Sequence, residues 1–365
     1  MHILVFIHSL SGGGAERVTV NLANYWAGLG RKVTIVTLVA QSQDAYTLAP
    51  EIRRISLNLA ADSTSTFAAL RNNFRRVRAL RTCLRQEKPD IALAMMTSAN
   101  CLLALAGRQG AKKIIGSEHI YPPQMPLGRF WETARKRLYG RLDSVAVLTR
   151  ESQKWLSENT NAKKAAVIAN PAVYPLRGSA PHIAPHSVLN PDRKILLSVG
   201  RLEEQKSFPR LLEVFARLSN DFPEWDLAII GEGTQRPQLE DMVRRTGISD
   251  RVILPGHAGN IADWYNAADA YAMTSLFEGF PNVLVEAMAY GLPPVSVDCD
   301  TGPRDIIINN QNGLLVEQNN PQALENALRR MLGDDKLRQK LAYNAVDVRA
   351  RFSFERIGKL WDDLF

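Results

Sequence analysis

Short apolar runs recur along the chain, each followed by a polar turn and a helical stretch, and this alternation restricts the fold more than any other feature. ILVFIH leads into SGGGAE and the helical run RVTVNLANYWAGLG, and KVTIVTLV, DIALAM, KKIIGS and SVAVLT repeat the strand signal. Continuous apolar strands separated by helices require a parallel sheet covered on both faces. Residues 171–194 break the pattern with Pro171, Pro175, Pro181, Pro185 and Pro191 and show no apolar period, so they read as a linker. The alternation then restarts with KILLSVG, DLAIIGEG, RVILPG, AYAMTS, PPVSVD and GLLVE, and the last stretch, from PQALENALRRML onward, is helical. The expected architecture is α/β: two doubly wound, Rossmann-like domains, 1–170 and 195–354, joined by 171–194 and facing a cleft.

A chain of 365 residues, 45% hydrophobic, has enough material for two cores. Cys83, Cys101 and Cys299 are too scattered for a disulfide framework or a zinc site, which points to a reducing, cytoplasmic compartment. MHILVFIHSL reads as a first strand and not as a signal peptide. The longest uncharged stretch, Ile91 to Gly107, contains Thr97, Ser98 and Asn100 and is short for a membrane span. Charge is unevenly distributed: residues 1–178 hold 25 Lys and Arg against 11 Asp and Glu, whereas 179–365 hold 20 against 26. A basic half calls for an anionic partner.

Ligands of doubly wound sheets sit at the carboxyl ends of strands, and several motifs fall there. SGGGAER, 11–17, lets backbone N–H groups approach an anion; Arg17 stands where a dinucleotide fingerprint needs its third glycine, and a plain tight turn remains open. In GRLEEQKSF, Arg201 and Lys206 are placed to bracket a diphosphate, one as a planar fork and one as a point charge. In FEGFPNVLVEAMAYG, Glu278 lies in the loop after a strand and Pro281 suits a first helical turn. The N–H groups near Asn282, Val283 and Leu284 would hold phosphate, and Glu286 would accept hydrogen bonds from a sugar hydroxyl. The alternative is a helix with two solvated glutamates. His119, in IIGSEHI, also follows a strand. Asp298-Cys299-Asp300 spells a D-x-D string, but the diphosphate already has cations in Arg201 and Lys206, so no metal is expected.

Taken in order, GGGAE, SEH at 117–119, GRLEEQK, IIGEG, EGFPNVLVEA and GPRDII resemble the retaining GT-B glycosyltransferases of glycosyltransferase family 4, over nearly the whole chain. The resemblance implies a nucleotide-sugar donor, UDP by family preference, and no cofactor or metal. It implies Arg201 and Lys206 on the diphosphate, Glu286 on the ribose, and Glu278 on the donor sugar. Backbone contacts would come from the stretch that includes Phe280, Pro281, Asn282, Val283 and Leu284. Gly13, Gly14 and His119 would complete the site from the first domain, with Glu278 and His119 nearest the chemistry. The last helix, 355–365, would cross back to the first domain. NPAV at 170–173 departs from the Asn-Gly-Val common in the family. No side chain reads as a covalent nucleophile. The implied mechanism is therefore a same-face displacement in which the leaving diphosphate takes the acceptor proton.

The basic half bears on the acceptor. In FAALRNNFRRVRALRTCLRQEK, Leu70, Phe74, Val77, Leu80 and Leu84 form an apolar arc, and Arg71, Arg75, Arg78 and Arg85 form an adjacent stripe about 21 Å long. RFWETARKRLYGR, 129–141, is a second basic segment. Guanidinium groups beside an apolar edge suit an anionic membrane or a lipid diphosphate. The arrangement resembles family members that extend polyprenyl-diphosphate-linked oligosaccharides with N-acetylhexosamines such as GalNAc. The expectation is thus a peripheral enzyme on the inner face of the cytoplasmic membrane. The alternatives are a hexosyltransferase of exopolysaccharide, capsule or lipopolysaccharide core synthesis, and an acceptor-free epimerase. Nucleic acid is not expected, since it leaves Glu278 and Glu286 unexplained.

Overall fold

The computed structural model describes residues 1–60 and 66–365, which divide into two compact units, Met1–Pro171 with Phe354–Phe365, and Ala172–Ser353. The first unit contains strands β1 (His2–Ile7), β2 (Lys32–Thr37), β3 (Arg53–Ser56), β4 (Ile91–Met95), β5 (Lys113–Glu118), β6 (Ser144–Val147) and β7 (Ala165–Val167). Its helices are α1 (Gly14–Gly28), α2 (Thr66–Glu87), α3 (Thr97–Ala106), α4 (Arg129–Leu138) and α5 (Arg150–Asn159). The second unit contains β8 (Lys194–Val199), β9 (Trp225–Ile230), β10 (Val252–Gly256), β11 (Ala270–Met273), β12 (Pro294–Asp298) and β13 (Leu314–Glu317). Between and after them run α6 (Phe208–Leu218), α7 (Arg236–Arg245), α8 (Ile261–Ala267), α9 (Asn282–Ala289), α10 (Pro303–Ile306), α11 (Pro321–Gly333), α12 (Asp335–Ala345) and α13 (Val348–Arg351). The chain closes with α14 (Phe354–Leu364), which belongs to the first unit.

Both sheets are parallel, in the order β3-β2-β1-β4-β5-β6-β7 and β10-β9-β8-β11-β12-β13. Each is doubly wound, with the strand order reversing at β1/β4 and at β8/β11, so the expected α/β class and paired Rossmann-like units are present. All six residues of β1 are buried, as a central strand covered on both faces must be. The sequence pattern passes over β3 and β7. The first is an edge strand carrying Arg53 and Arg54, and the second has only three residues.

The stretch expected as a linker is part of the second unit from Ala172 onward. Its prolines remove donors, but its other polar groups find partners there. Ser179 N donates to Gly259 O at 3.0 Å, Ile183 N to Asn260 Oδ1 at 2.9 Å, and Trp264 Nε1 to Ile183 O at 3.1 Å.

In the first unit α14 covers α1. Trp26 meets Trp361 edge-on at 6.0 Å and lies 5.4 Å from Phe365, and Arg31 forms a two-pronged pair with Asp362 at 2.5 and 2.7 Å. Gly358 has no Cβ because the Tyr25 ring occupies that space. Trp361→Ala is expected to cost the first unit about 3–5 kcal/mol, seen as a lower urea midpoint by circular dichroism.

Candidate active site

In the second unit, the loops that leave β8 and β11 lie side by side because the strands are neighbours at the switch point. They are clasped together. Lys206 Nζ donates to Glu278 Oε1 at 2.6 Å, with both side chains largely buried. Leu276 N donates to Gln205 O at 2.7 Å, and Gln205 Nε2 returns a bond to Phe277 O at 2.9 Å. Thr274 Oγ1 reaches the carbonyls of Lys206 and Ser207 at 3.1 and 3.2 Å. Ser207 itself sits in the left-handed region, φ 50°, between the Lys206 turn and α6.

Two glycines make the close approach feasible. A Cβ on Gly200 would lie 3.1 Å from Lys206 Cε, so glycine lets the lysine stem pass along the loop. Gly231, φ 149°, abuts the Gly200 carbonyl, which leaves no room for a side chain. The IIGEG motif is thus a buttress behind Arg201. Leu202 N donates to Glu232 O at 2.8 Å, and Gln235 N to Leu202 O at 2.9 Å. Arg201 stays exposed, with Gln205 Oε1 at 3.5 Å.

After Glu278 the chain turns into α9. Pro281 is the residue before the helix and not in its first turn, as expected from sequence; Asn282 is the first helical residue. Pro281, at the N-cap position, supplies no side-chain cap, and no acid lies in the first turn of the helix. Thr301 Oγ1 bonds to the Glu278 carbonyl, and Pro281 packs on Gly302, φ 97°, of the GPRD segment. Phe280 is buried edge-on to Phe352 at 5.5 Å and Leu284 is fully buried, so both are left with backbone groups to offer a ligand. Val283 O lies 3.4 Å from the Tyr265 hydroxyl. Glu286 is buried too, and accepts from Tyr265 Oη at 3.2 Å. The alternative of two solvated glutamates therefore fails: Glu278 and Glu286 are 6% and 4% exposed. Asp298 of the D-x-D string is paired with Arg304 Nε at 2.9 Å. Among the described residues no group of three His, Cys, Asp or Glu is arranged to hold a metal.

In the first unit, the carboxyl ends of β1, β4 and β5 are adjacent. β1 leads to the glycine turn, where Gly13 N donates to Tyr46 Oη at 3.1 Å and Gly13 O accepts from it at 3.0 Å. Gly14 opens α1, and the Glu16 carboxylate lies where a Gly13 side chain would be; burial raises the Glu16 pKa. β5 ends in Ser117, Glu118 and then His119. His119 Nε2 is 3.0 Å from Ser117 Oγ, and its Nδ1 is buried without a hydrogen-bond partner. Burial pushes the imidazole pKa down to about 4, so the ring is neutral at pH 7.

The four arginines of the α2 stripe, Arg71, Arg75, Arg78 and Arg85, are exposed. Arg85 Nε bonds to Gln109 Oε1 at 2.7 Å. The apolar arc splits. Val77, Leu80 and Leu84 enter the core, but Leu70 and Phe74 are 55% and 67% exposed, as is Phe67 at 78%. α4 departs from expectation in the opposite sense: Arg135 is fully buried, over the Trp155 ring at 4.7 Å. Sequence reasoning passed over Gln205, Thr274, Tyr265 and Glu118. Thr274 carried a usable signal, a hydroxyl one residue past a strand; Tyr265 carried none, because it meets Glu286 only through the fold.

Two outcomes are expected. Lys206→Met leaves Glu278 without its countercharge and should cost about 3–5 kcal/mol in thermal or urea unfolding, whereas Glu278→Gln should cost less. By imidazole NMR, His119 should protonate at about pH 4. Because that value is depressed, the stability supplied by the neutral ring is full above about pH 6.5 and is lost as pH falls toward 4.

Two family models match the chain: "Glycosyltransferase Family 4" over residues 12–172 and "Glycosyl transferases group 1" over 181–348. The amylovoran biosynthesis glycosyltransferase AmsD of Erwinia amylovora is 26% identical, with 99% of each chain covered. A Campylobacter jejuni enzyme named GalNAc-alpha-(1->4)-GalNAc-alpha-(1->3)-diNAcBac-PP-undecaprenol alpha-1,4-N-acetyl-D-galactosaminyltransferase is 27% identical over 99% of this chain and 97% of its own. The crystal structure of Anabaena Alr3699/HepE in complex with UDP-glucose superposes with a TM-score of 0.78 at 19% identity, covering 100% of this chain and 99% of that one. With two parallel Rossmann-like units and both family models matched in order, the chain belongs to the GT-B glycosyltransferases of family 4 and is a hexosyltransferase.

Proposed function

We propose that this enzyme transfers an N-acetylhexosamine such as GalNAc, with retention, from a UDP-sugar to a polyprenyl-diphosphate-linked oligosaccharide at the inner face of the cytoplasmic membrane, without a metal. The observation that carries the donor half is the clasp of Lys206 on Glu278 beside the uncapped start of α9. A cation and a buried carboxylate on adjacent loops, followed by a helix N-terminus and a second buried carboxylate within that helix, suit a sugar diphosphate, with acids for its two sugars and positive charge between them. Donor binding would exchange partners: Lys206 turns from Glu278 to the diphosphate, and Glu278 turns to the sugar hydroxyls. Charge gathers on the diphosphate as the glycosidic bond breaks, so Lys206, Arg201 and the α9 amides matter most in the transition state. Glu286, steadied by Tyr265, takes the ribose. In the first unit, the residue proposed for a part in the reaction is His119, neutral and with Nδ1 unpartnered.

The acceptor half is supported by α2 and by the Campylobacter jejuni relative, whose name specifies an undecaprenyl diphosphate-linked substrate. Arg71, Arg75 and Arg78 are exposed beside Phe67, Leu70 and Phe74, as an anionic lipid surface or lipid diphosphate would require. Among the described residues no helix is long and apolar enough to cross a membrane. The amylovoran relative favours a second reading, transfer to an exopolysaccharide or lipopolysaccharide core glycan.

One assay separates them: UDP release from a panel of UDP-sugars, without added metal, with and without a short polyprenyl-diphosphate glycan. Lipid-dependent release is expected. Lys206→Ala should lower kcat on the order of 10²–10³-fold, whereas Arg75→Ala should raise KM for the lipid acceptor and leave donor KM unchanged. Release that requires a soluble glycan and ignores Arg75 would favour the second reading.

A further inference from the structure

The first unit holds a buried polar network that the transfer reaction, as outlined, does not use. Glu118, the last residue of β5, is 1% exposed. Its Oε2 accepts from Thr97 Oγ1 at 2.9 Å, and its Oε1 from Asn100 Nδ2 at 3.4 Å and from the Tyr139 hydroxyl. Asn100 Nδ2 also donates to Tyr139 Oη at 3.0 Å and to Ser117 O at 3.1 Å, and its Oδ1 accepts from Ser117 N at 3.1 Å. Gly116 leaves the space for this amide, since a Cβ there would lie 3.0 Å from the Asn100 carboxamide. At the start of α3, Met96 is held at φ 79° by its N–H bond to Ser117 O, a left-handed conformation that a non-glycine residue adopts only under constraint. Ser117, gripped by Asn100, is the residue whose hydroxyl meets His119 Nε2.

We infer that Glu118 is a positioning residue for glycosyl transfer, orienting His119 through the hydrogen bonds its carboxylate accepts from Thr97, Asn100 and Tyr139. This rests on the reading of His119 as a residue of the active site. The donors decide the required form. Tyr139 accepts from Asn100 and so presents its own proton to Glu118, and Thr97 points a second proton at it; the two Asn100 amide protons serve Ser117 O at 3.1 Å and Tyr139 Oη at 3.0 Å, which leaves the 3.4 Å contact to Glu118 a shared one. A carboxylate, which only accepts, takes both hydroxyl protons. A carboxylic acid adds a proton of its own, so Thr97 or Tyr139 must turn its hydroxyl to accept and give up the bond it now donates, and the network that holds Ser117 rearranges. Burial opposes the anion and raises the Glu118 pKa to about 7, against the attraction of Arg135. The charged and titratable groups facing it are Arg135 and its ion-pair partner Glu132 from α4, Cys101 from α3, and Tyr139, while His119 is linked to it through Ser117 and Asn100. The thiol is pushed up to about 12 and the imidazole down to about 4, so neither supplies a transition near neutrality.

The test is the pH dependence of kcat for the unsubstituted enzyme, Glu118→Gln and His119→Ala, using the UDP-sugar found active in the panel and holding each at saturating donor. In the unsubstituted enzyme kcat should fall as pH drops through about 7. Glu118→Gln, which carries a donor in place of one acceptor, should be flat from about pH 6 to 8.5 and about tenfold or more below the unsubstituted plateau, with donor KM little changed. If Glu118→Gln keeps the limb near pH 7, or runs at the unsubstituted rate, the inference fails while the reading of His119 stands. If His119→Ala is as active as the unsubstituted enzyme, that reading fails and the positioning role falls with it. Should Glu118→Gln not fold, the unsubstituted protein decides. The His119 ring signals should shift with a midpoint near pH 7 in addition to their own near 4, and a single transition near 4 overturns the inference.

Discussion

The ion pair between Lys206 and Glu278 is the constraint around which the loops at the second unit's switch point are arranged. A buried pair of this kind contributes little net stability, because desolvation cancels most of the attraction. Its value is geometric. It fixes a loop from one side of the switch point to a loop from the other, and the supports follow from it. Gly200 admits the lysine stem, Gly231 admits the buttressing strand end, Ser207 accepts left-handed backbone, and Thr274 closes both carbonyls.

Much of this was legible in the sequence because parallel sheets impose a strong pattern. Central strands such as β1, β4, β8 and β11 are continuous apolar runs, and the residues just past them are candidate site residues by topology alone. Arg201, Lys206, Glu278 and His119 stand out in the sequence as candidates on that ground. Where burial is decided by distant partners, the pattern was silent or misleading. The α2 arc looked uniform from Leu70 to Leu84, yet only Val77, Leu80 and Leu84 join the core of the first unit, while Phe67, Leu70 and Phe74 stay exposed. Arg135 resembled its basic neighbours and went inside, where Trp155 and Glu132 receive it. The prolines of 175–191 leave the stretch with one short 3-10 turn, Pro185–Ser187, and gave no sign of its attachment to the second unit.

The two candidate groups also differ in electrostatic design. In the second unit acids and bases neutralise one another at the surface of the site. In the first unit burial does the work, driving His119 toward neutrality and Glu118 toward the middle of the physiological range. Pairing gives charges that a ligand can rearrange, whereas desolvation gives charges that respond to pH.

The placement of α14 has a consequence for biosynthesis. The face of α1 that carries Trp26 is made among the first residues, but its cover, Trp361 and Phe365, comes after the whole second unit. At about 5–20 residues per second of synthesis, that face stays open for tens of seconds on the ribosome. The first unit is therefore the last to be completed although it is the first to be made, and a nascent chain halted before α14 exposes an aromatic surface to chaperones or to its neighbours on the same message.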